Sequence, residues 1–151
     1  MAPRALLLLA LATLVAPALA TPPSPPRAPP CAAFLELAIV LDESGSIGNG
    51  CGGSGGGCVP AMKEFAHAII DQFELGENAT RVSITTFASP AAVQVPRTAS
   101  SATLDSAINA LDSDGWTCIS CALTTAYTTM DTEARPGAGR AVLLLTDGEQ
   151  T

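Results

Sequence analysis

Hydrophobic and polar positions alternate in blocks along this chain, and the blocks predict strands and helices in turn. Phe34 to Leu41 is an apolar run broken only by Glu36, which is typical of a central parallel strand buried on both faces. Ala141 to Leu145 has the same aliphatic character. Segments 81–87 and 91–95 instead alternate apolar and polar residues, which predicts two strands joined by a turn, the second an antiparallel edge.

Apolar residues at three- and four-residue steps predict helices between these strands. The longest pattern predicts an amphipathic helix over residues 60–74, with Pro60 in its first turn and its apolar stripe in the core. A second helix follows the strand at 91–95, and a third begins just after Thr117. The three apolar stripes are Met62, Phe65, Ala66, Ile69, Ile70 and Phe73; then Leu104, Ala107, Ile108 and Leu111; then Leu123, Ala126, Tyr127 and Met130. Strands linked by right-handed helical crossovers predict a doubly wound α/β fold, with a mostly parallel sheet and helices on both faces.

Polar residues follow both aliphatic strands at their carboxyl ends, where open α/β sheets bind ligands. Asp42, Ser44 and Ser46 form a D-x-S-x-S turn after the first strand, and Asp147 leaves the last strand in a T-D-G turn. Thr117 adds a hydroxyl from a turn between them. Two carboxylates with hydroxyls, and no Cys or His in the loop, suit Mg²⁺, Mn²⁺ or Ca²⁺ better than zinc. The sequence therefore predicts a site for a hard divalent cation, with Mg²⁺ as the first choice.

The ordered trio of D-x-S-x-S, a loop Thr and T-D-G resembles the metal-ion-dependent adhesion site of von Willebrand factor type A domains. The resemblance implies that Ser44, Ser46 and Thr117 offer hydroxyls to the metal, while Asp42 and Asp147 act directly or through water. It also implies a Rossmann-like fold and an open metal position for an acidic group of a partner. Further strands and helices would normally follow Asp147, so the domain is expected to be incomplete at its carboxyl end.

Other functions suggested by the same residues have less support. The D-x-S-x-S segment could be an ordinary Ser/Gly turn that caps a helix. A serine hydrolase elbow requires G-x-S-x-G, which Ser44 and Ser46 both miss, and the single histidine, His67, lies on a helical pattern away from these loops. The glycines around Cys51 to Cys58 lack the Lys-Ser/Thr of a phosphate loop. The protein is therefore predicted not to be an enzyme.

The amino-terminal region predicts export from the cell. Residues 1–20 combine Arg4, an apolar stretch and a small-residue cleavage site, as in a secretory signal peptide. Residues 21–30 form a proline-rich linker, and residues 31–151 the type A-like domain. No later segment reads as a transmembrane span, so the mature protein is predicted to be secreted. Asn78 begins an N-x-T glycosylation acceptor, whose alternative is a plain turn.

Five cysteines fit an oxidising compartment, where most of them should be paired. Cys51 and Cys58 bracket a glycine-rich insert, and Cys118 and Cys121 follow the loop threonine. Pairing within each cluster and pairing between the clusters both remain open. Cys31 is expected to have no partner in this chain. The C-x-x-C spacing of Cys118 and Cys121 also admits a redox role.

The net charge of the chain limits the classes of partner that it can bind. The net charge is −7, or −7 − 1 = −8 without Arg4, which disfavours nucleic acids and anionic membranes. The sequence predicts a secreted, divalent-metal-dependent adhesion module that binds an extracellular protein or glycan through an acidic group. Two alternatives stay open: a secreted thiol-disulfide oxidoreductase using Cys118 and Cys121, and a structural matrix domain without metal.

Overall fold

Residues 29–49 and 57–148 are described by a computed structural model. Its elements, in chain order, are β1 (Leu35–Asp42), α1 (Gly45–Asn49), α2 (Val59–Ile70), β2 (Thr80–Phe87), β3 (Ala91–Thr98), α3 (Ser101–Asn109), α4 (Ile119–Glu133) and β4 (Gly139–Leu145). The predicted signal peptide, most of the predicted linker and Cys51 lie outside the described residues. Within the described ranges, no helix combines the length and apolarity that a membrane span requires.

The strands form one mixed sheet in the order β3-β2-β1-β4. Strand β1 pairs in parallel with β2 on one side and with β4 on the other, whereas β2 and β3 are antiparallel. This arrangement confirms the predicted α/β class and the antiparallel edge. Pro96 lies within β3, where an edge strand tolerates the missing backbone donor.

Side chains of β1 point alternately into two hydrophobic cores. Leu37, Ile39 and Leu41 pack on the side covered by α2 and α3. Ala38 and Val40 pack on the opposite side, against α4. Helices therefore cover both faces of β1, which explains why the sequence of this strand is almost continuously apolar.

In two of the predicted helices, not every residue of the apolar stripe is buried in the structure. Helix α2 ends at Ile70 rather than at residue 74, and Phe73 instead forms an isolated bridge with Cys31. Phe65 is 48% exposed, so its predicted core position is wrong, and Tyr127 in α4 is 71% exposed. The two rings therefore lie outside the part of each helix that is buried. Helix α1 was not predicted, because its five residues are too few to show a period.

Glu36 is fully buried at the amino end of β1, where the sequence showed only a break in an apolar run. Its carboxylate accepts hydrogen bonds from Arg81 Nη2 at 2.7 Å and Arg135 Nε at 2.7 Å, and Arg97 Nε lies 3.4 Å away. Burial raises the pKa of Glu36, but the hydrogen bonds from Arg81 and Arg135 outweigh it and lower the pKa from 4.5 to about 2. We call these four side chains the Glu36 cluster.

Arg135 extends the Glu36 cluster to the surrounding backbone. Its guanidinium donates to the carbonyl oxygens of Leu35 at 3.0 Å, Ala79 at 2.8 Å and Glu77, and lies 4.2 Å from the centre of the Phe34 ring. The cluster thus joins β1, β2, β3 and the segment after α4 at one end of the sheet. The polar loops predicted to bind metal lie at the other end.

Candidate metal centre

Asp42 is the last residue of β1 and is fully buried. Its Oδ1 accepts a hydrogen bond from the backbone N–H of Ser44 at 2.8 Å, and its Oδ2 accepts one from the Thr146 hydroxyl at 2.6 Å. Thr146 follows β4, and the carboxyl ends of β1 and β4 meet because the two strands are parallel neighbours. The two halves of the predicted motif therefore contact each other directly.

Ser44 and Ser46 lie in the turn that leads into α1. Their hydroxyl oxygens are 3.0 Å apart, with Ser44 buried and Ser46 half-buried. Ile47, buried in the larger core, holds α1 against the sheet. A Cβ on Gly48 would collide with the Ser113 hydroxyl, so this turn approaches the loop before α4 closely. The D-x-S-x-S segment consequently forms a compact group of oxygen atoms at the sheet edge.

The loop between α3 and α4 is fixed to the loops after β1 and β2 by backbone hydrogen bonds. Asp114 N–H donates to the Glu43 carbonyl at 2.7 Å, and Gly45 N–H donates to the Gly115 carbonyl at 2.9 Å. Gly115 has a positive φ of 86°, which a residue with a side chain rarely adopts. Cys118 N–H donates to a carbonyl beyond β2, and Thr117 is buried between these anchored positions. Thr117 therefore lies at the same edge as Asp42.

Asp147 is exposed directly after Thr146, where Gly148 N–H donates to the Thr146 hydroxyl at 3.1 Å. The structure therefore places all five predicted site residues on loops that touch one another at the carboxyl edge. Sequence reasoning missed the part played by Thr146. Its signal was the first letter of the T-D-G motif, but its bond to Asp42 spans 104 residues.

The surroundings of Asp42 fit a cation. A buried carboxylate is costly unless a positive charge accompanies it. Among the described residues, Asp42 contacts neutral N–H and hydroxyl donors, and no Lys or Arg forms an ion pair with it. Glu36, on the same strand, is buried among three arginines. The described ranges also contain no cluster of three or more His, Cys, Asp or Glu that could hold a metal, so hydroxyls would have to complete the shell around Asp42.

The described cysteines bear out two of the sequence expectations. Cys118 and Cys121 form a disulfide in the first turn of α4, where the Cys118 sulfur also accepts the Cys121 N–H at 3.3 Å. Cys58 is disulfide-bonded as well, and its candidate partner Cys51 lies outside the described residues. Cys31 is an exposed free thiol, as predicted. The C-x-x-C pair thus closes the segment directly after Thr117.

A comparison with models of protein families matches the part of the chain that forms the candidate metal site. The model of the von Willebrand factor type A domain matches residues 36–151, which includes all three loops of the site and every described strand except the first residue of β1. This chain belongs to the von Willebrand factor type A family. Type A domains are adhesion and interaction modules that bind protein ligands, and those with an intact adhesion motif typically bind divalent cations. A comparison with curated proteins returns no match.

Solved structures of other type A proteins are similar to this one. The vWF domain of the type V pili tip protein Mfa5 from Porphyromonas gingivalis is 16% identical, with a TM-score of 0.66 over 80% of this chain and 40% of that one. Proximal thread matrix protein 1 of the mussel byssus, with zinc in its MIDAS motif, is 30% identical, with a TM-score of 0.66 over 80% of this chain and 30% of that one. The chain therefore spans less than half the length of either protein.

Proposed function

We propose that this type A domain is a secreted adhesion module that holds a divalent cation at the carboxyl edge of its sheet. The proposed ligands are Asp42, Ser44, Ser46, Thr117 and Asp147. The observation that carries the proposal is the full burial of Asp42 among neutral donors, which leaves a negative charge for a cation to balance. The bound metal would supply an open coordination position for a carboxylate of a protein or glycan partner.

The protein residues have separate tasks in this proposal. Asp42 supplies buried negative charge, and its two hydrogen bonds keep the carboxylate fixed before the metal arrives. Ser44 and Ser46 present hydroxyl oxygens 3.0 Å apart, so both can face one ion. Thr117 adds an oxygen from a loop whose backbone is tied to the D-x-S-x-S turn. This preorganisation supports binding, because little has to be ordered when the ion enters.

The identity of the metal is part of the proposal. Oxygen donors favour Mg²⁺, with Mn²⁺ and Ca²⁺ as alternatives. The mussel byssus protein holds zinc in the corresponding motif, so an oxygen-rich motif of this kind does not by itself exclude zinc. A competition experiment among Mg²⁺, Mn²⁺, Ca²⁺ and Zn²⁺ decides between them.

The extracellular setting rests on three further proposals. Residues 1–20 would be a cleaved signal peptide, residues 21–30 a linker and residues 31–151 the domain. Asn78 lies exposed in the turn before β2, which is accessible to a glycan. A pilus tip protein and a byssus thread matrix protein are among the similar structures, which supports an extracellular role.

The surroundings of His67, a residue type common in catalysis, favour a binding role over an enzymatic one. His67 pairs with Asp105 at 3.1 Å across α2 and α3, so this imidazole faces a neighbouring helix. The oxidoreductase alternative requires an accessible, exchangeable Cys118–Cys121 disulfide. Alkylation of the folded protein before and after mild reduction tests that alternative. The metal-free matrix alternative is tested by the titration below.

Calorimetric titration with Mg²⁺ tests the metal site. Asp42→Asn keeps the side-chain volume and removes the charge, so we expect metal affinity to fall by more than about 100-fold. Asp42→Ala should abolish binding. Asp131→Asn is the matched control, because Asp131 is 66% exposed and pairs with Arg140 at 3.3 Å near the start of β4. Unchanged affinity in Asp42→Asn would remove the basis for the site assignment.

A further inference from the structure

The disulfide between Cys118 and Cys121 begins directly after Thr117, one of the proposed metal ligands. Cys118 is the N-cap residue of α4, and its sulfur accepts the Cys121 N–H at 3.3 Å. The Cys118 carbonyl accepts the Ala122 N–H at 3.1 Å, which is the first hydrogen bond of the helical ladder. The disulfide therefore joins the cap of α4 to the third residue of the helix, where the Thr117 loop enters it.

The first turn of α4 relies on this covalent bond more than the first turn of α3 relies on any single bond. Sulfur accepts hydrogen bonds weakly, whereas the preferred N-cap residues offer an oxygen. Residues 119–122 contain no Asp or Glu that would complement the positive end of the helix dipole. Helix α3 has an oxygen cap, because Ser100 Oγ accepts the Thr103 N–H at 3.3 Å. The order of the first turn of α4 thus depends on the S–S bond.

Thr117 lies between a fixed loop and this first turn. Before it, the Trp116 carbonyl accepts the Ser89 hydroxyl at 3.4 Å. After it, the Cys118 N–H donates to a carbonyl beyond β2, and Ala122 is fully buried in the smaller core. Loosening of the first turn is therefore confined to residues before Ala122, and Thr117 is next to that segment.

A small thiol can reach the Cys118–Cys121 bond. Both cysteines are half-buried, and Ser120 between them is exposed, with its hydroxyl 3.6 Å from the Cys118 sulfur. Cys58, which is also disulfide-bonded, is instead buried in the larger core. We therefore expect a mild reductant to open the pair in α4 before the bond of Cys58.

We propose that thiol–disulfide exchange at Cys118 and Cys121 controls the affinity of the proposed metal site. The reductant is a small dithiol. One of its thiolates attacks a sulfur of the pair, so the S–S bond breaks and a mixed disulfide forms, and its second thiolate then displaces the protein sulfur. The reductant leaves as a cyclic disulfide. Two electrons have passed to the protein, and the two protons of the dithiol end on the two cysteine thiols.

Reduction loosens the first turn of α4 and, with it, the position of Thr117. The metal then meets a less ordered set of ligands, and ordering them lowers its affinity. Loss of an N-cap corresponds to about a fivefold change in an equilibrium constant, so the oxidised protein should bind Mg²⁺ about fivefold more tightly than the reduced one. This inference rests on the proposed metal-dependent function and adds its regulation. It requires no exchange with a disulfide of a second protein.

Calorimetric titration with Mg²⁺ compares the oxidised protein with protein treated with dithiothreitol, and alkylation followed by peptide mass spectrometry locates the thiols. We expect about fivefold weaker binding once Cys118 and Cys121 are reduced, and recovery on reoxidation. Cys31→Ser is the control for the exposed free thiol, and it should bind Mg²⁺ like the wild-type protein in both states.

Two double variants assign the effect to the cap of α4. Cys118→Ala with Cys121→Ala should bind Mg²⁺ like the reduced wild-type protein and should not respond to dithiothreitol. Cys118→Ser with Cys121→Ala offers a hydroxyl to the N–H of residue 121, so it should recover part of the affinity without any response to dithiothreitol.

Amide hydrogen exchange without metal provides an independent measurement. Reduction should speed exchange in peptides covering residues 117–122 and leave the first turn of α3 unchanged, because the cap of α3 is the Ser100 hydroxyl. This measurement also applies to the wild-type protein if a double variant does not fold.

The outcomes separate this inference from the proposed function. Equal Mg²⁺ affinity of oxidised and reduced wild-type protein overturns the inference and leaves the metal site in place. A response to dithiothreitol that persists in Cys118→Ala with Cys121→Ala also overturns it, because the bond of Cys58 would then carry the effect. Unchanged exchange at residues 117–122 does so equally. If the oxidised protein binds no divalent metal, the proposed function is wrong and this inference falls with it.

Discussion

Neutralising the buried carboxylate of Glu36 should destabilise the domain in a way that depends on pH. The pKa of Glu36 falls from 4.5 to about 2 in the folded protein, because the arginine hydrogen bonds outweigh the effect of burial. A folded pKa below the unfolded one means that the stabilisation is complete above about pH 5 and is lost as pH falls toward 2. A difference of roughly 2.5 pKa units corresponds to about 3 kcal/mol of unfolding free energy.

Glu36→Gln is the direct perturbation. The amide keeps the shape of the side chain but leaves Arg81, Arg97 and Arg135 without their shared carboxylate, so we expect a loss of about 3 to 5 kcal/mol at pH 7. Urea unfolding followed by far-ultraviolet circular dichroism, repeated from pH 7 to pH 2.5 without added metal, measures both effects. The wild-type protein should lose about 3 kcal/mol more than the variant over that range.

Glu77→Gln is the matched control, because the Glu77 side chain is 74% exposed and lies 3.8 Å from Arg81. An exposed pair of this kind contributes less than about 1 kcal/mol, so this variant should follow the wild-type pH profile. Equal losses of stability on acidification in wild type and Glu36→Gln would refute the reasoning. If Glu36→Gln does not fold at pH 7, the wild-type titration still tests the size of the expected loss between pH 5 and pH 2, and a wild-type protein that loses no stability over that range would refute the reasoning.

Three further outcomes are expected at other positions. Thr117→Ala should weaken partner capture more than Mg²⁺ binding, as measured by pull-down and calorimetry; a metal loss equal to that of Asp42→Ala would indicate a static structural site. Replacing Cys118 and Cys121 by Ser should lower the unfolding free energy by about 2 kcal/mol in the chain-entropy model, read from urea unfolding; readily alkylated thiols in the untreated protein would instead favour the redox alternative. Asn78→Gln should remove a glycosidase-sensitive mass shift from the secreted protein, and identical mobility of the two proteins would show that the acceptor is unused.

The residues of the candidate site that lie close together in the sequence could be predicted from local patterns. Asp42, Ser44 and Ser46 lie within five residues, and their order on a turn after a buried strand was enough to place them together. Parallel pairing of β1 with β4 then brought the T-D-G turn alongside, as expected for neighbouring strand ends. The fold class could be predicted because the two buried strands are apolar runs and the three longer helices carry a helical period.

Features that depend on distant residues could not be predicted in this way. Thr146 bonds to Asp42 across 104 residues, and the T-D-G motif does not show by itself which residue the Thr146 hydroxyl contacts. Glu36 looked like a defect in an apolar strand, because the arginines that compensate its burial are 45 to 99 residues further along the chain. Tyr127 shares the helical period of its stripe, but the width of the face that a sheet covers is a tertiary property.

The Glu36 cluster also constrains the order in which the chain can fold during synthesis. Arg81 follows Glu36 by 45 residues and Arg135 by 99, so the arginines that bind Glu36 in the folded protein are absent when β1 is first made. Burying its carboxylate before those residues emerge would be costly. The amino end of β1 is therefore expected to stay hydrated until these arginines have left the ribosome, with Arg135 the last of them. Packing of the central strand is then a late step of synthesis, and a nascent chain arrested before Arg135 should keep β1 accessible to protease.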